Sequence, residues 1–509
     1  MVPEFVIALC LLQIGDPRAT SPSDLARIEA EIKNGQLQEA ASNLEERLGR
    51  DNQSFQLHLL LGIVRQKQGR PEDALHEFQL SHDLQPDNPG PYADMGNVLA
   101  IEGRLDAAAD QYANAIRIDP GNISAHRDLG LLRLQQKRTA EAIVELQQTV
   151  KLDSRDTEVW FALFQAQLAV GDISSARQSA DKISILAPAS SELFRSVAAL
   201  QASAGDYQGA IPHLKKALDA APDSRDLQYN LGLAFLRNDE AAKATPLLMT
   251  LRDRRDDSEI EDLLGEAYER QGKFVDAVRA YQRATLLDPR NEDYTYDYLT
   301  ELLKHRDFDA ALSIGKAAAT SFPNSERMQL GLASAYYGKE NVIEAHEQLV
   351  EASARFPDSS LSLYLRGVIA EAESKPDSSL IAQTQAYLTR HPGDSIAWLA
   401  LGKAQAQDNQ TDALTAFSRC LAIKETTAEA HLEVGRIYFD QHDWQKAAVH
   451  AQRAVELNPR LTEAWYRLAL ASYRLGLKSA GDAAMRRFKA QHASDQQNSA
   501  VTTFLHTLR

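Results

Sequence analysis

The chain has 509 residues, of which 71 are Asp or Glu and 55 are Lys or Arg, so its formal net charge is −16. A protein that grips phosphate backbones needs a dense basic stripe, and only short basic clusters occur here, which argues against a nucleic-acid partner. The negative charge promotes solubility and favours partners that carry positively charged segments.

The first twenty residues form an apolar segment that differs from the rest. The run from Phe5 to Ile14 is too short to span a bilayer, and small residues follow it, as after the core of an export signal. No Lys or Arg precedes the run, and Glu4 stands where positive charge is expected. The sequence favours export to a periplasmic or extracellular location over a cytoplasmic chain in which residues 1–20 pack on the first repeat.

From about Ser21 to about Ala493 the sequence repeats every 34 residues, roughly fourteen times. A Gly follows an apolar residue at one phase of the repeat, an Ala comes twelve residues later, and many repeats close on Pro. The glycines of this phase are Gly62, Gly96, Gly130, Gly232, Gly265, Gly402 and Gly435. Nearly the whole chain is therefore one unit copied in tandem, which leaves no room for a separate catalytic domain.

The spacing within each unit predicts two helices. Positions 4, 7, 8 and 11 share one face of a first helix, and positions 20, 24 and 27 share one face of a second. Small residues at positions 8 and 20 let the two backbones approach closely. Between them, segments such as Gln271-Gly272-Lys273 suit the left-handed turn that ends a helix, and the closing Pro ends the second helix. Each unit is thus predicted to be an antiparallel helix hairpin.

Several repeats depart from the pattern. Phe164 and Leu299 replace the small residue at position 8, so these two helix crossings are expected to be looser or rearranged. Pro212 and Pro246 fall inside predicted second helices, where each removes a backbone donor and can kink the helix. Sequence drift is the simpler interpretation of these changes, and a hinge is the alternative.

The layout resembles the tetratricopeptide repeat family, and the resemblance covers about nine tenths of the chain. Residues 258–291 carry the family pattern in Leu264, Gly265, Tyr268, Ala277, Tyr281, Ala284 and Pro289. The resemblance implies an all-α fold, a right-handed superhelical α-solenoid of antiparallel helix hairpins. It also implies that the first helices line a concave groove that holds protein or extended peptide partners.

By the same resemblance, positions 2, 5, 6, 9, 12 and 13 of the first helices point into the groove. The candidate binding residues are Asp94, Asn97, Arg127, Asp128, Phe161, Tyr229, Asn230, Glu266, Tyr296, Tyr364, Lys403, Arg436, Tyr466 and Arg467. The aromatic side chains at position 5 suit contact with an extended peptide, and packing on the neighbouring helix is the open alternative. The basic residues of the C-terminal repeats predict that this end of the groove attracts acidic ligand groups.

No motif in the chain indicates catalysis. A phosphate-binding loop, a nucleophile elbow and a dinucleotide fingerprint are missing from the sequence, and the thirteen His residues lack the spacing of a zinc helix. The sequence therefore predicts a protein that is not an enzyme and that needs no cofactor or metal.

The function expected from these observations is a protein-binding scaffold or adaptor. The alternative is an accessory or regulatory subunit of an enzyme complex, such as one for envelope glycan assembly or export, and self-association through the terminal repeats is a third possibility. Residues 494–509 carry Val501, Phe504, Leu505 and Leu508 at helical spacing. They are expected to form a helix that caps the last hairpin or, alternatively, a docking peptide for another protein.

Overall fold

The structure is a computed structural model that describes residues 22–372, 377–406 and 408–495. Within these ranges the chain forms 28 α-helices and no strand. The apolar segment 1–20 and most of the expected terminal cap, residues 496–509, lie outside the described residues, so both expectations stay predictions. None of the described helices is long and apolar enough to cross a membrane.

The chain divides into two compact units, Met1–Asn238 and Asp239–Arg509. The helices of the first unit are α1 (Pro22–Lys33), α2 (Leu37–Leu48), α3 (Phe55–Lys67), α4 (Pro71–Leu84), α5 (Gly90–Ile101), α6 (Leu105–Ile118), α7 (Ile123–Gln135), α8 (Thr139–Leu152), α9 (Thr157–Ala169), α10 (Ile173–Leu186), α11 (Ser191–Ser203), α12 (Tyr207–Ala220) and α13 (Arg225–Arg237).

The helices of the second unit are α14 (Ala241–Arg254), α15 (Ser258–Arg270), α16 (Phe274–Leu287), α17 (Glu292–Lys304), α18 (Phe308–Ser321), α19 (Glu326–Gly338), α20 (Val342–Arg355), α21 (Leu361–Ala372), α22 (Ser378–Arg390), α23 (Ser395–Gln405), α24 (Gln410–Ile423), α25 (Ala428–Asp440), α26 (Trp444–Leu457), α27 (Thr462–Arg474) and α28 (Lys478–Asp495). Apart from α13 and α14, which lie in different units, consecutive helices pair as hairpins, and neighbouring hairpins within a unit pack on one another. The predicted all-α solenoid of helix hairpins is confirmed within each unit.

The turn after twelve of the fourteen first helices contains one residue in the left-handed region, as far as the described residues show. Gly occupies this place in seven turns, for example Gly272 with φ +69°. The N–H groups of Gly272 and Lys273 donate to carbonyls of the last turn of α15, which satisfies two of its free acceptors. The remaining left-handed residues at this phase are Lys137, Asp239, Arg306, Glu340 and His442. The left-handed conformation is therefore kept at these five positions even though Gly is missing.

Position 8 sets how closely the two helices of a hairpin approach. A Cβ atom added to Gly265 would lie 2.5 Å from the Tyr281 ring, so the ring of the second helix covers the bare backbone of the first. In the two exceptional repeats, the large side chain lies on the first helix and the small residue lies on the second. Phe164 and Leu299 are fully buried, and the position sixteen residues later holds Ala180 or Gly315 instead of a large side chain. Of the two outcomes expected for these crossings, looser packing or rearrangement, the structure shows rearrangement. Each crossing buries its large residue on the first helix.

The two internal prolines do not end their helices. Pro212 lies inside α12 and Pro246 inside α14, and each helix keeps fourteen residues, the length of most other second helices. Both helices therefore continue through their proline, and the expected kink stays a prediction.

A second recurring contact fixes the entry to the first helices. The side chain at position 4 donates a hydrogen bond to the backbone carbonyl six residues earlier, in the turn between hairpins. This contact is made by His58, His126, Trp160, Gln228, Trp398, His431 and Trp465. Imidazole, indole and amide groups serve equally because each offers an N–H at the same reach.

Candidate functional site on the first helices

In each unit, the candidate site is the surface made by the first helices of the hairpins, the odd-numbered helices. We call it the A face and define it by the side chains at positions 2, 5, 6, 9, 12 and 13 of those helices.

In the first unit, α5 and α7 bring two carboxylates together. Asp94 is half-buried, and burial together with the charge of Asp128 raises its pKa to about 7. Asp128 is only 6% exposed, and the Arg127 Nε donates to its Oδ1 at 2.9 Å. Burial raises the pKa of Asp128 more than Arg127 lowers it. This part of the A face holds partly desolvated negative charge.

The other predicted residues of the first unit are more dispersed. Asn97, on α5, accepts a hydrogen bond from the Tyr112 hydroxyl at 2.8 Å, which ties its amide to the second helix of the hairpin. The Phe161 ring lies 6.0 Å from the Phe164 ring, so it packs partly on its own helix. On α13, Tyr229 is half-buried and Asn230 is exposed.

In the second unit, α15 and α17 form a denser acidic surface that sequence reasoning found only in part. We call it the α15/α17 acidic surface and define it by Asp262, Glu266, Asp293 and Asp297. Glu266 was predicted, and its carboxylate pairs with Arg270 at 2.9 Å. Tyr296, also predicted, lies beside these residues with the Arg327 guanidinium 5.0 Å from its ring centre.

The Asp262 carboxylate of this surface is partly buried among other carboxylates. Burial, followed by the charges of Asp297, Glu266 and Asp293, raises its pKa to about 7. Its Oδ1 is buried and accepts no hydrogen bond from the described residues. Burial and the charge of Asp293 also raise the pKa of Asp297 to about 6, although Lys304 and Arg327 oppose the rise. The surface therefore carries carboxylates whose repulsion is only partly neutralised.

The C-terminal repeats hold the opposite arrangement, a closed ionic cluster. We call it the α21/α23/α25 charge network, and its members are Tyr364, Glu371, Lys403, Glu429, Glu433 and Arg436. Lys403 is 4% exposed, and its Nζ lies 2.7 Å from Glu371, 2.9 Å from Glu429 and 3.3 Å from Glu433. These three carboxylates raise the pKa of Lys403 well above its usual value, despite its burial.

Two further contacts bridge α21 and α25 directly. The Tyr364 hydroxyl donates to Glu429 at 2.5 Å, and Arg436 pairs with both Glu371 and Glu433. The expectation that Lys403 and Arg436 attract acidic ligand groups is wrong for this reason, because the chain's own glutamates already neutralise them. Tyr364 is likewise buried in the network and does not offer an open aromatic contact.

The last predicted pair lies on α27. Tyr466 is 37% exposed, and its ring lies 5.1 Å from the Phe488 ring of α28. Arg467 pairs with Glu463 one turn earlier at 3.2 Å. These two residues belong to a hairpin separate from the charge network.

Sequence reasoning missed Asp262, Asp297 and the three glutamates of the network. Asp262 and Asp297 occupy positions 5 and 6 of their repeats, so the register that identified Tyr296 also placed them on the A face. The prediction at position 5 selected aromatic residues and left out the acidic ones. Among the described residues, no group of three or more His, Cys, Asp or Glu is arranged to hold a metal ion.

Comparisons with known proteins gave partial matches along the chain. It is 27% identical over 232 residues to the BBSome complex member BBS4 of Bos taurus, covering 45% of this chain and 44% of that protein. It is 28% identical over 257 residues to the cellulose synthase operon protein C of Escherichia coli K12, covering 49% of this chain and 20% of that protein. The chain thus spans less than half the length of these curated relatives.

Among solved structures, yeast Tom70 aligns over 84% of this chain and 96% of its own, with a TM-score of 0.41 and 12% identity. Tetratricopeptide repeat models match residues 25–89, 133–200, 201–267, 259–291, 330–395 and 428–461, and a TPR repeat model matches residues 96–137. These matches cover well over half of the chain at the period described above. The chain belongs to the tetratricopeptide repeat family.

Proposed function

We propose that this protein is a non-enzymatic scaffold that binds an extended protein segment along the A face, and that the α15/α17 acidic surface selects segments carrying Lys or Arg. The observation that carries this proposal is the state of Asp262, whose partly desolvated carboxylate lies among other carboxylates and has a pKa of about 7. A ligand cation placed there would relieve the repulsion and lower that pKa.

The surroundings suit a peptide better than a small cation. The Tyr296 ring beside the carboxylates already holds the Arg327 guanidinium at 5.0 Å, which shows that an aromatic face combined with negative charge favours such groups here. Successive first helices place their A-face side chains at a regular interval, which suits an extended chain laid across them. Family membership supports protein interaction as the general function, and the overall charge of −16 supports a basic ligand.

The names of two relatives favour one form of this function. One is described as a member of a complex and the other as a product of a cellulose synthase operon. Our second candidate is therefore an accessory subunit that holds an enzyme or another subunit through the same face. Stable copurification with one partner at fixed stoichiometry would favour it over a general adaptor.

The test uses fluorescence anisotropy with two labelled, unstructured peptides, one alternating Lys with Gly and Ser and one with Glu in place of Lys. We expect the Lys peptide to bind and the Glu peptide not to bind, and we expect binding to weaken as salt screens the charges. The double variant Asp262→Asn/Asp297→Asn should weaken binding of the Lys peptide by about tenfold, because each lost ion pair contributes up to about 1 kcal/mol.

The matched control is Glu344→Gln/Glu347→Gln, which removes two exposed carboxylates from α20, a second helix of the same unit. It changes the net charge equally but leaves the A face intact, so it should bind the Lys peptide as the unmodified protein does. If both double variants weaken binding of the Lys peptide equally, overall charge explains the effect and the proposed site is wrong. Circular dichroism checks that each variant is folded.

A further inference from the structure

The hairpin of α25 and α26 contains an inward-facing pair of histidines, His431 and His450, in direct contact with each other. His431, at position 4 of its repeat, is 7% exposed, and His450 on α26 is half-buried. Their Nδ1 atoms lie 3.0 Å apart, which is a hydrogen-bonding distance between two ring nitrogens. One Nδ1 must therefore carry a proton and the other must accept it.

The other ring nitrogen of His431, Nε2, determines which Nδ1 donates and which Nδ1 accepts. Its Nε2 lies 3.0 Å from the Glu425 carbonyl oxygen and must donate to it, because a carbonyl can only accept. In the neutral ring, His431 Nδ1 is then the acceptor and His450 Nδ1 is the donor. One added proton can lie between the two Nδ1 atoms, because His450 can carry its own proton on Nε2, but a second would place two N–H groups against each other at 3.0 Å. The contact therefore exists only while the two rings together hold no more than one added proton.

Two other hairpins contain the same position 4 histidine with a different partner. His58 Nδ1 lies 2.7 Å from Glu77, and His126 Nδ1 lies 2.6 Å from Glu145. In both, the ring also contacts a carbonyl six residues earlier. A protonated imidazole satisfies a carbonyl and a carboxylate together. His450 stands where these repeats place Glu, nineteen residues after the histidine.

The charged neighbours do not compensate for the missing carboxylate. The Glu425 carboxylate is 3.8 Å from His431 Nε2, but Arg453 of α26 holds it through two contacts of 2.9 Å. Tyr438 of α25 stacks on His450 at 5.8 Å, with the Lys446 ammonium 4.9 Å from its ring centre. Among the described residues, the helices packed on either side, α24 and α27, add no charge that acts on either ring. Burial lowers the pKa of both histidines.

We propose that the α25/α26 hairpin is an acid-sensitive joint, in which proton uptake by His431 and His450 separates their rings and loosens α25 from α26. The hairpins α3/α4 and α7/α8 keep their contact in acid, because a carboxylate receives the protonated ring. Since α25 also carries Glu429, Glu433 and Arg436, loosening it would release one side of the α21/α23/α25 charge network. This proposal does not depend on the identity of the ligand.

The test is hydrogen–deuterium exchange of the full chain at pH 7.5 and pH 5.5, corrected for the intrinsic exchange rates. At pH 5.5, about one unit below the ordinary pKa of His, each imidazole released by opening multiplies the opening equilibrium by about tenfold. We expect peptides of residues 428–457 to lose protection by at least this factor, while peptides of residues 123–152 in the same sample do not. Equal changes in the two segments would overturn the proposal.

Two reciprocal variants sharpen the test. His450→Glu supplies the carboxylate found in the other two hairpins and should abolish the loss of protection in residues 428–457. Glu145→His creates a histidine pair in α7/α8 and should transfer the acid sensitivity to residues 123–152. An acid response unchanged by both variants would show that the pair is not its cause. Each variant alters a different hairpin, so misfolding of one leaves the other decisive.

Discussion

At the scale of single residues, the close approach of paired helices depends on hydrogen atoms in place of methyl groups. Gly265 lies under the Tyr281 ring, and the same relation joins Gly62 to Phe78, Gly96 to Tyr112 and Gly402 to Phe417. Gly435 differs, because Ala451 lies where the other hairpins place a large side chain. A Cβ added to Gly435 meets its nearest atoms only at 3.4 Å, an ordinary contact distance.

This difference predicts opposite effects of the same substitution. Gly265→Ala should destabilise the protein by about 1–2 kcal/mol, because overpacking against Tyr281 outweighs the better helix propensity of Ala. Gly435→Ala should stabilise it by up to about 1 kcal/mol, because only the propensity term remains. The measurement is the midpoint of urea unfolding followed by circular dichroism. Destabilisation of similar size in both variants would show that crowding at Tyr281 is not the determinant.

At the scale of helices, the α21/α23/α25 charge network joins three first helices through buried charges. Lys403 stands between glutamates from both sides, and Glu371 contacts both Lys403 and Arg436. Burial and the neighbouring carboxylates raise the pKa of Glu433, whereas the two cations lower that of Glu371. Removal of the central cation would leave three carboxylates close together in a poorly solvated place.

Lys403→Met should therefore destabilise the second unit by about 3–5 kcal/mol at neutral pH, as expected when one partner of a buried ion pair is lost. The glutamates of the variant would have raised pKa values in the folded state. Their protonated form stabilises the fold in acid, and this contribution is lost as the pH rises through those values. The defect should thus be smaller near pH 5 than near pH 7.5 in urea unfolding.

The control for this prediction is Lys339→Met, which removes an ammonium group from a solvent-exposed pair with Asp309. Exposed pairs contribute at most about 1 kcal/mol, so this variant should be nearly neutral at both pH values. A loss of stability in Lys403→Met that does not depend on pH would show that packing of the aliphatic stem, and not charge, is responsible.

At the scale of the whole molecule, the sequence predicted what depends on neighbours along the chain. The 34-residue period, the turn at Gly272 and its equivalents, and the small residues at crossings all act within one hairpin, and the structure confirms them. The charge network was not predicted because its partners are distant in sequence, with Glu371 and Arg436 separated by 65 residues. Register placed Lys403 on the A face but gave no measure of its burial.

For the α15/α17 acidic surface, the positions of the residues could be predicted from the sequence, but their electrostatics could not. Register alone placed Asp262 and Asp297, but their significance depends on desolvation and on each other's charge, which only packing determines. Their repulsion opposes folding at neutral pH, and a surface that opposes folding without its ligand is expected where binding is selected at the expense of stability. This links the proposed binding site to the charge of −16 carried by the whole chain.

Asp262→Asn tests that link through stability alone. The folded-state pKa of Asp262 is raised to about 7 from 3.8, so the folded protein binds a proton there that the unfolded chain has lost. Stability therefore falls as the pH rises between about 4 and 7. Asn cannot ionise, so the variant should gain about 1–2 kcal/mol over the unmodified protein at pH 7.5 and little at pH 4.5, with the gain reduced by salt.

Urea unfolding at the two pH values, with and without added salt, measures this gain. Glu347→Gln, on the exposed side of α20, should show no such dependence on pH. A gain for Asp262→Asn that is equal at both pH values would contradict the electrostatic explanation. If the gain follows pH as expected, while the same substitution weakens binding of the Lys peptide, the carboxylate that destabilises the free protein is also the one that recognises its ligand.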